Sequence, residues 1–296
     1  MLDAIIIGGS SAGLSAALVL GRSLRQVIVL DNNKPCNRFS HASHGFLTQD
    51  GTAPSEIVAI AKQQLKQYDT VNVVEATALK VLAIKGGFRV VTDQDTFESR
   101  KVLLATGLHD ELPPLENIHR FWGKSVFHCP YCDGYENHHQ SIVVYGTEEA
   151  SLHQVMMLSH WTDKLTFCTE GKVAIPSEMR EKYLAHNIVV NETPIERLEG
   201  NDEHLTHVVF KDGTSLACHA MFIHPKTSHP TTFATNLGCA LDARNSITVD
   251  ILGRTSVTGV YAAGDIAQPF RSVAMAVGQG SSAAAGINYD LIVEDF

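Results

Sequence analysis

The chain has 296 residues, 44% hydrophobic and 19% charged, with mean hydropathy near zero, which suits a globular protein with a large core and excludes a disordered one. Lys and Arg total 23 against 32 Asp and Glu, a net −9 that disfavours nucleic acid and anionic membrane as partners. No apolar run approaches the roughly 18 residues of a membrane span, and Asp3 stands where a signal peptide wants a base, so the expected location is cytoplasmic.

Ala4–Ile7 reads as an apolar strand, Gly8–Gly13 as a turn and Leu14–Gly21 as a helix of small residues. Val27–Leu30 is a β-branched strand closed by Asp31. Together they form a βαβ unit, the smallest piece of a doubly wound sheet. His109-Asp110-Glu111-Leu112-Pro113-Pro114 breaks regular structure and reads as a connection. A second unit of the same kind follows Ser141: strand Ile142–Tyr145, a glycine, helix Ala150–Ser159 and strand Leu165–Phe167. Leu241–Ser246 reads as a second connection, before the strand-like Ile247-Thr248-Val249. Val260–Asp265 and a helix over Ser272–Ile287, rich in Ala and Gly, close the chain. Small residues there permit close backbone packing. The expected fold is α/β with two Rossmann-like dinucleotide-binding domains, the second inserted into the first. Residues 1–111 and 245–296 make the first, and 112–244 the second.

Gly8-Gly9-Ser10-Ser11-Ala12-Gly13 has Ser10 where the middle glycine of a nucleotide-binding loop usually sits. Small residues let the backbone approach a pyrophosphate, whose charge is met by helix N–H groups. Asp31 is placed to accept from ribose hydroxyls; the alternative is a tight strand–helix turn without a ligand. Of six cysteines, Cys36, Cys168, Cys218 and Cys239 are scattered and read as buried small hydrophobes. Cys129-Pro130-Tyr131-Cys132 is the one Cys-x-x-Cys. Such a pair closes and reopens a disulfide without large backbone movement. Zinc would need two further ligands; His138 and His139 are near, but no second Cys-x-x-Cys exists. Glutaredoxins carry Cys-Pro-Tyr-Cys near the start of a short chain, whereas here it lies mid-chain between two nucleotide-type units.

Gly8–Ala17, Leu104-Ala105-Thr106-Gly107, Cys129–Gly134 and Gly259–Asp265 occur in an order that resembles the low-molecular-weight thioredoxin reductases and their FAD-dependent pyridine nucleotide-disulfide oxidoreductase relatives. The segment Arg38–Phe46 resembles a sub-group near the dithiol oxidases. The resemblance implies FAD at the first site, on Gly8, Ser10, Ser11, Ala12, Gly13 and Asp31, with Arg38, Ala78, Ala105, Thr106, Gly107 and Gly264 around it. It further implies Asp265 on the ribityl chain and Arg271, Ser272 and Val273 along the flavin, with His44, Gly45, Phe46 and Gly51 on the opposite wall. By the same resemblance Cys132 exchanges electrons with the flavin, Cys129 is the interchange thiol, and Asp133 is the acid that moves the proton. The alternative for Asp133 is a turn residue preceding Gly134.

The family also implies NADPH in the inserted domain, through Gly-x-Gly-x-x-Ala and an arginine cluster. This chain has Gly146-Thr147-Glu148-Glu149-Ala150-Ser151, with Glu148 where bare backbone should meet pyrophosphate. Phe167–Gly171 brings no arginine; Lys172 is the one base nearby. The NADPH site is therefore read as degenerate. Three electron routes follow: NADPH in an altered pose, a ferredoxin donor, or oxidation of a dithiol with oxygen as acceptor. Both parts of the chain hold more acidic than basic residues, which disfavours a ferredoxin docking face. The expected activity is thiol–disulfide exchange with a thioredoxin-like protein or a small dithiol. The alternatives are an FAD-dependent dithiol oxidase and a non-enzymatic FAD/disulfide redox sensor. The resemblance implies a homodimer.

Overall fold

A computed structural model describes residues 1–268 and 270–296. The chain falls into two compact units. Met1–Arg38, Gly45–His109 and Ser228–Phe296 form the first; Phe39–His44 and Asp110–Thr227 form the second. In chain order the strands are β1 (Leu2–Ile7), β2 (Val27–Asp31), β3 (Val71–Glu75), β4 (Ala78–Ile84), β5 (Gly87–Thr92), β6 (Thr96–Leu104), β7 (His109–Glu111), β8 (Val126–Phe127), β9 (Ile142–Tyr145), β10 (Leu165–Cys168), β11 (Val189–Asn191), β12 (Ile195–Asn201), β13 (His204–Phe210), β14 (Ser215–Ala217), β15 (Ala220–Ile223), β16 (Lys226–Ser228) and β17 (Val260–Ala262). The helices are α1 (Ser11–Arg22), α2 (Pro54–Leu65), α3 (Ile118–Phe121), α4 (Pro130–Asp133), α5 (Ala150–Leu158), α6 (Ser177–Ala185), α7 (Phe233–Leu237) and α8 (Val273–Asp295).

The first unit is built on one sheet of order β3-β2-β1-β6-β5-β4, with β17 also pairing β6. The β3, β2, β1, β6 and β17 pairings are parallel, and the β4–β5–β6 meander is antiparallel. Parallel strands covered on both faces need apolar side chains at successive positions. Ile5 and Ile6 on β1 and Leu103 on β6 are accordingly fully buried. The small residues of α8 serve helix packing: a Cβ on Gly280 would lie 2.0 Å from the carbonyl oxygen of Ala12 on α1. Ala283, Ala284 and Ile287 join Ala16, Ala17 and Leu20 in the same apolar cluster.

The second unit carries a parallel sheet of order β11-β10-β9-β15-β8 and an antiparallel sheet β12-β13-β14. Its core lies on two sides, one around Phe121, Phe210 and Met221, the other around Phe167, Tyr183 and Phe222. No helix among the described residues is long and apolar enough to cross a membrane.

Five details depart from the sequence reading. α1 opens at Ser11 rather than Leu14, because the glycine loop itself winds into the first turn. Residues 228–244 belong to the first unit: Phe233, Ala234 and Cys239 are buried with Val81, Phe88 and Val260, an apolar attachment that outweighs chain proximity to the inserted part. The second boundary therefore falls at 227/228 and not at 244/245. Leu241–Ser246 is a loop of that unit, folded by Asp242, whose carboxylate accepts from the Arg244 and Ser246 N–H groups. Ile247-Thr248-Val249 makes a single bridge, Leu241 to Ile247, instead of a strand. The expected irregular connection at His109–Glu111 is β7, which pairs with β16, so the two connecting segments form a two-stranded ribbon.

Candidate active site

Cys129 and Cys132 are joined as a disulfide, with Cα atoms 5.3 Å apart. Cys129 precedes α4, and Pro130 supplies the fixed φ that suits the first helical position. The Cys132 and Asp133 N–H groups both donate to the Cys129 carbonyl, which closes the turn around the two sulfurs. Gly134 is required by what lies over it: a Cβ there would be 2.4 Å from the Pro130 carbonyl oxygen and 3.0 Å from the Trp161 ring. Tyr131 meets the same ring edge-on at 6.0 Å.

The Asp133 carboxyl is the chemically unusual group here. Burial first, and the Glu136 charge second, raise its pKa from 3.8 to about 7. Such a carboxyl holds or releases a proton at neutral pH, as an acid–base group must. The buried Asn137 amide donates to the Asp133 backbone carbonyl at 2.7 Å and fixes the turn. Elsewhere in this unit burial pushes the Cys168 and Cys218 thiols up to about 12, which leaves both as packed, inert side chains.

In the first unit the residues expected at a nucleotide gather at the ends of β1, β2, β6 and β17. Gly8 has φ +116, and a Cβ there would meet the Ala105 carbonyl oxygen at 2.1 Å, so no other residue fits. Gly13 packs against Gly8, where a Cβ would lie 1.8 Å from the Gly8 carbonyl oxygen. Ser10 precedes α1, and Ser11, Ala12 and Gly13 form its first turn, so the helix start is bare backbone. Asp31 is buried; its carboxylate accepts from the Asn33 N–H at 2.9 Å and pairs with Lys62 at 2.6 Å. Thr106 follows Ala105 beyond β6, and its Oγ1 is buried with no hydrogen-bond partner among the described residues. Gly264 has φ +82 and donates its N–H to the Gln279 side chain at 2.8 Å. Asp265 pairs with Arg271 at 3.1 Å, Ser272 caps α8 by accepting the Met275 N–H, and Val273 opens that helix.

Ala78 begins β4 and packs on the apolar cluster under the sheet. Arg38 reaches back to the Pro35 carbonyl, and the Gly45 N–H donates to Asp50. His44 belongs to the second unit, where its Nε2 is 3.4 Å from Glu136. A cradle that any Cβ would fill, a helix start and an orphaned buried hydroxyl at Thr106 together fit a dinucleotide.

The corresponding loop of the second unit is different. A Cβ on Gly146 would strike Ser151 Cβ at 2.1 Å, so the turn keeps its tightness, and Ser151 Oγ donates to the Glu148 carbonyl. The Glu148 carboxylate is exposed and pairs with Lys226 at 2.9 Å. Beyond β10, Glu170 takes a left-handed φ of 53, with its side chain 10% exposed. It hydrogen-bonds Tyr145 and pairs with Lys172, the one base that sequence reasoning offered to a 2′-phosphate. Lys62, Gln279, Glu136 and Glu170 are the residues that sequence reasoning missed. Glu170 alone had a legible signal, since it follows its strand much as Asp31 ends β2.

The sheet-and-helix units, the glycine cradle and the Cys-x-x-Cys disulfide define a two-domain flavoprotein disulfide oxidoreductase. Residues 2–280 match the pyridine nucleotide-disulphide oxidoreductase family, and the chain belongs to it. It is 31% identical to thioredoxin reductase sirT of Leptosphaeria maculans, over 100% of this chain and 96% of that one. Among solved structures it is similar to the Bacillus anthracis protein TrxB, assigned to the thioredoxin reductases, with 35% identity, a TM-score of 0.96 and 100% of both chains covered. An oxidoreductase from Agrobacterium tumefaciens matches with 37% identity and a TM-score of 0.93 over 99% of each chain. The chain is thus a thioredoxin reductase-like, FAD-dependent thiol–disulfide oxidoreductase.

Proposed function

We propose that this enzyme passes electron pairs between a dithiol–disulfide substrate and FAD through Cys129 and Cys132, with Asp133 handling the proton. The observation that carries this reading is a disulfide closed on a turn whose next residue is a carboxyl that titrates near neutrality. Cys129 is the sulfur that meets substrate, and Cys132 the one that exchanges with the flavin. During substrate oxidation the Asp133 carboxylate takes the proton of an incoming thiol. That sulfur bonds to Cys129, the Cys129–Cys132 bond breaks, and its electron pair stays on Cys132 as a thiolate. The second substrate thiol then displaces Cys129, which leaves with the proton from Asp133, while the proton of that second thiol passes to solvent. The substrate ends as a disulfide and the two cysteines as a reduced pair; run in reverse, the same steps reduce a disulfide. FAD supplies a two-electron partner for that pair. Gly8, Ser10, Ser11, Ala12 and Gly13, with Asp31, Thr106 and Asp265, would hold it. Arg38, His44, Gly45, Ala78, Ala105, Gly107, Gly264, Arg271, Ser272 and Val273 complete the set.

Relatives named thioredoxin reductases support a thioredoxin-like protein as the exchange partner, with a small dithiol as the other substrate class. A homodimer in the cytoplasm belongs to the same reading. Ordinary NADPH is not the electron source in this reading, because Glu148 stands where bare backbone would meet a pyrophosphate and Glu170 already holds Lys172. The same acidic surround supports a second reading, a dithiol oxidase in which substrate supplies the electrons and oxygen accepts them. A ferredoxin donor has less support, since both parts of the chain are acidic in balance.

Anaerobic stopped-flow mixing separates these routes. A dithiol is expected to bleach the flavin band, with recovery in air if oxygen is the acceptor, while NADPH leaves the band intact. Rapid bleaching by NADPH would overturn the degenerate-site reading. Glu148→Gly is expected to tighten NADPH binding about fivefold, roughly 1 kcal/mol, measured by calorimetric titration. Unchanged affinity would move the obstacle to Glu170 and Lys172.

A further inference from the structure

We propose that His44 is a positioning residue for the exchange reaction: its imidazole holds the Glu136 carboxylate and thereby tempers the charge that Asp133 meets. This rests on the acid–base reading of Asp133 given above. Three contacts seat Phe39–His44 on the second unit. The Phe39 backbone and Cβ lie where a Cβ on Gly123 would come within 2.8 Å, leaving room for glycine alone. His41 Nε2 is 2.9 Å from Glu203, which Lys124 also pairs. His44 Nε2 then reaches Glu136 Oε1 at 3.4 Å, with His44 the more shielded partner, 22% exposed against 43%. Glu136 in turn is the charged group that acts on Asp133, one turn back along the same segment. A strap distant in sequence thus ends on the one carboxylate that acts on the proton carrier beside the disulfide.

Other titratable groups stand on the elements around this segment and have their own contacts. His138 stacks on Tyr135 at 5.2 Å, and His139 meets His138 edge-on. His160 packs on Trp161, His128 lies 5.8 Å from the Trp122 ring, and His153 on α5 is exposed. His41 and Lys124 are engaged with Glu203. The pair His44–Glu136 places a basic side chain against the carboxylate whose charge acts on Asp133.

The sign follows from electrostatics. A protonated His44 offsets Glu136, which makes the Asp133 carboxylate less costly and lowers its titration point; a neutral His44 leaves Glu136 unopposed. The test is the pH profile, from pH 5 to 9, of the rate at which dithiothreitol opens the Cys129–Cys132 disulfide, read by thiol trapping and mass spectrometry. His44→Gln keeps a polar side chain in the strap and is expected to move the inflection up by about half a pH unit. Glu136→Gln is expected to move it down by at least as much. In the double variant the inflection should stay where Glu136→Gln alone puts it, because the effect of His44 passes through Glu136. A purely structural strap would change rates at every pH without moving the inflection in opposite directions. If both single variants keep the wild-type inflection, or the His44→Gln shift persists without Glu136, the proposal falls. If Asp133→Asn has the wild-type profile, the acid–base reading falls first and this proposal with it.

Discussion

Cys129→Ser is expected to abolish thiol–disulfide turnover, by about 10³-fold or more, while preserving a spectroscopic sign that the remaining sulfur meets the flavin. Removing the interchange sulfur leaves substrate with no partner for a mixed disulfide. It also leaves Cys132 as a lone thiol, and a thiolate against oxidised flavin gives a long-wavelength charge-transfer band. The band should grow with pH as Cys132 ionises and vanish when the flavin is reduced. Cys132→Ser should lose turnover equally and show no such band, although the Cys129 thiolate remains able to attack a substrate disulfide and hold one of its sulfurs in a mixed disulfide, the other leaving as a thiolate. A band in Cys132→Ser and none in Cys129→Ser would invert the two roles. Absorbance titration of both variants decides the matter.

Asp133→Asn should slow disulfide exchange by about 10²–10⁴-fold, the ordinary range for loss of a positioned proton carrier. The amide keeps the shape of the side chain and removes only the titration. The wild-type profile should therefore bend near pH 7, where the carboxyl titrates, and the variant should lose that bend. Stability should respond in the opposite sense. Asp133 binds its proton more tightly folded than unfolded, so its contribution to stability declines as pH rises from about 4 to about 7 and is constant above. Relative to wild type, Asp133→Asn should gain stability across that window. Urea midpoints at pH 5 and pH 8 test this, and equal differences at the two pH values would show that the carboxyl is not held neutral by the fold.

The two βαβ starts were legible because each rests on local signals: an apolar run, a glycine turn and a second apolar run. Ile142–Tyr145 and Val27–Leu30 came through with their bounds nearly intact for that reason. Cys129 and Cys132 were legible because a spacing of three within one turn makes a disulfide geometrically easy. What failed depends on partners far along the chain. The ribbon of β7 and β16 joins segments more than a hundred residues apart, with no period to announce it. Residues 228–244 return to the first unit because Phe233 and Cys239 find apolar neighbours on β4, β5 and β17, a preference invisible in the linker itself. Ile247-Thr248-Val249 has strand composition but gains only one bridge, and the Ile247 and Thr248 N–H groups donate to the Ile266 and Ala240 carbonyls, outside any strand. The placement of Phe39–His44 in the second unit likewise depends on Phe39 and His41 finding Gly123 and Glu203, far along the chain.

The burial of Cys168 and Cys218 has a practical corollary. With pKa values pushed up to about 12, only roughly one in 10⁵ of these sulfurs is ionised at pH 7, and packing shuts out reagents as well. A gentle alkylating label added to reduced enzyme will thus read the working pair and the half-buried Cys36, while these two and the likewise buried Cys239 stay dark until the chain opens. The molecule carries an internal clock of its own unfolding, separable by labelling time from the sulfurs that do its chemistry.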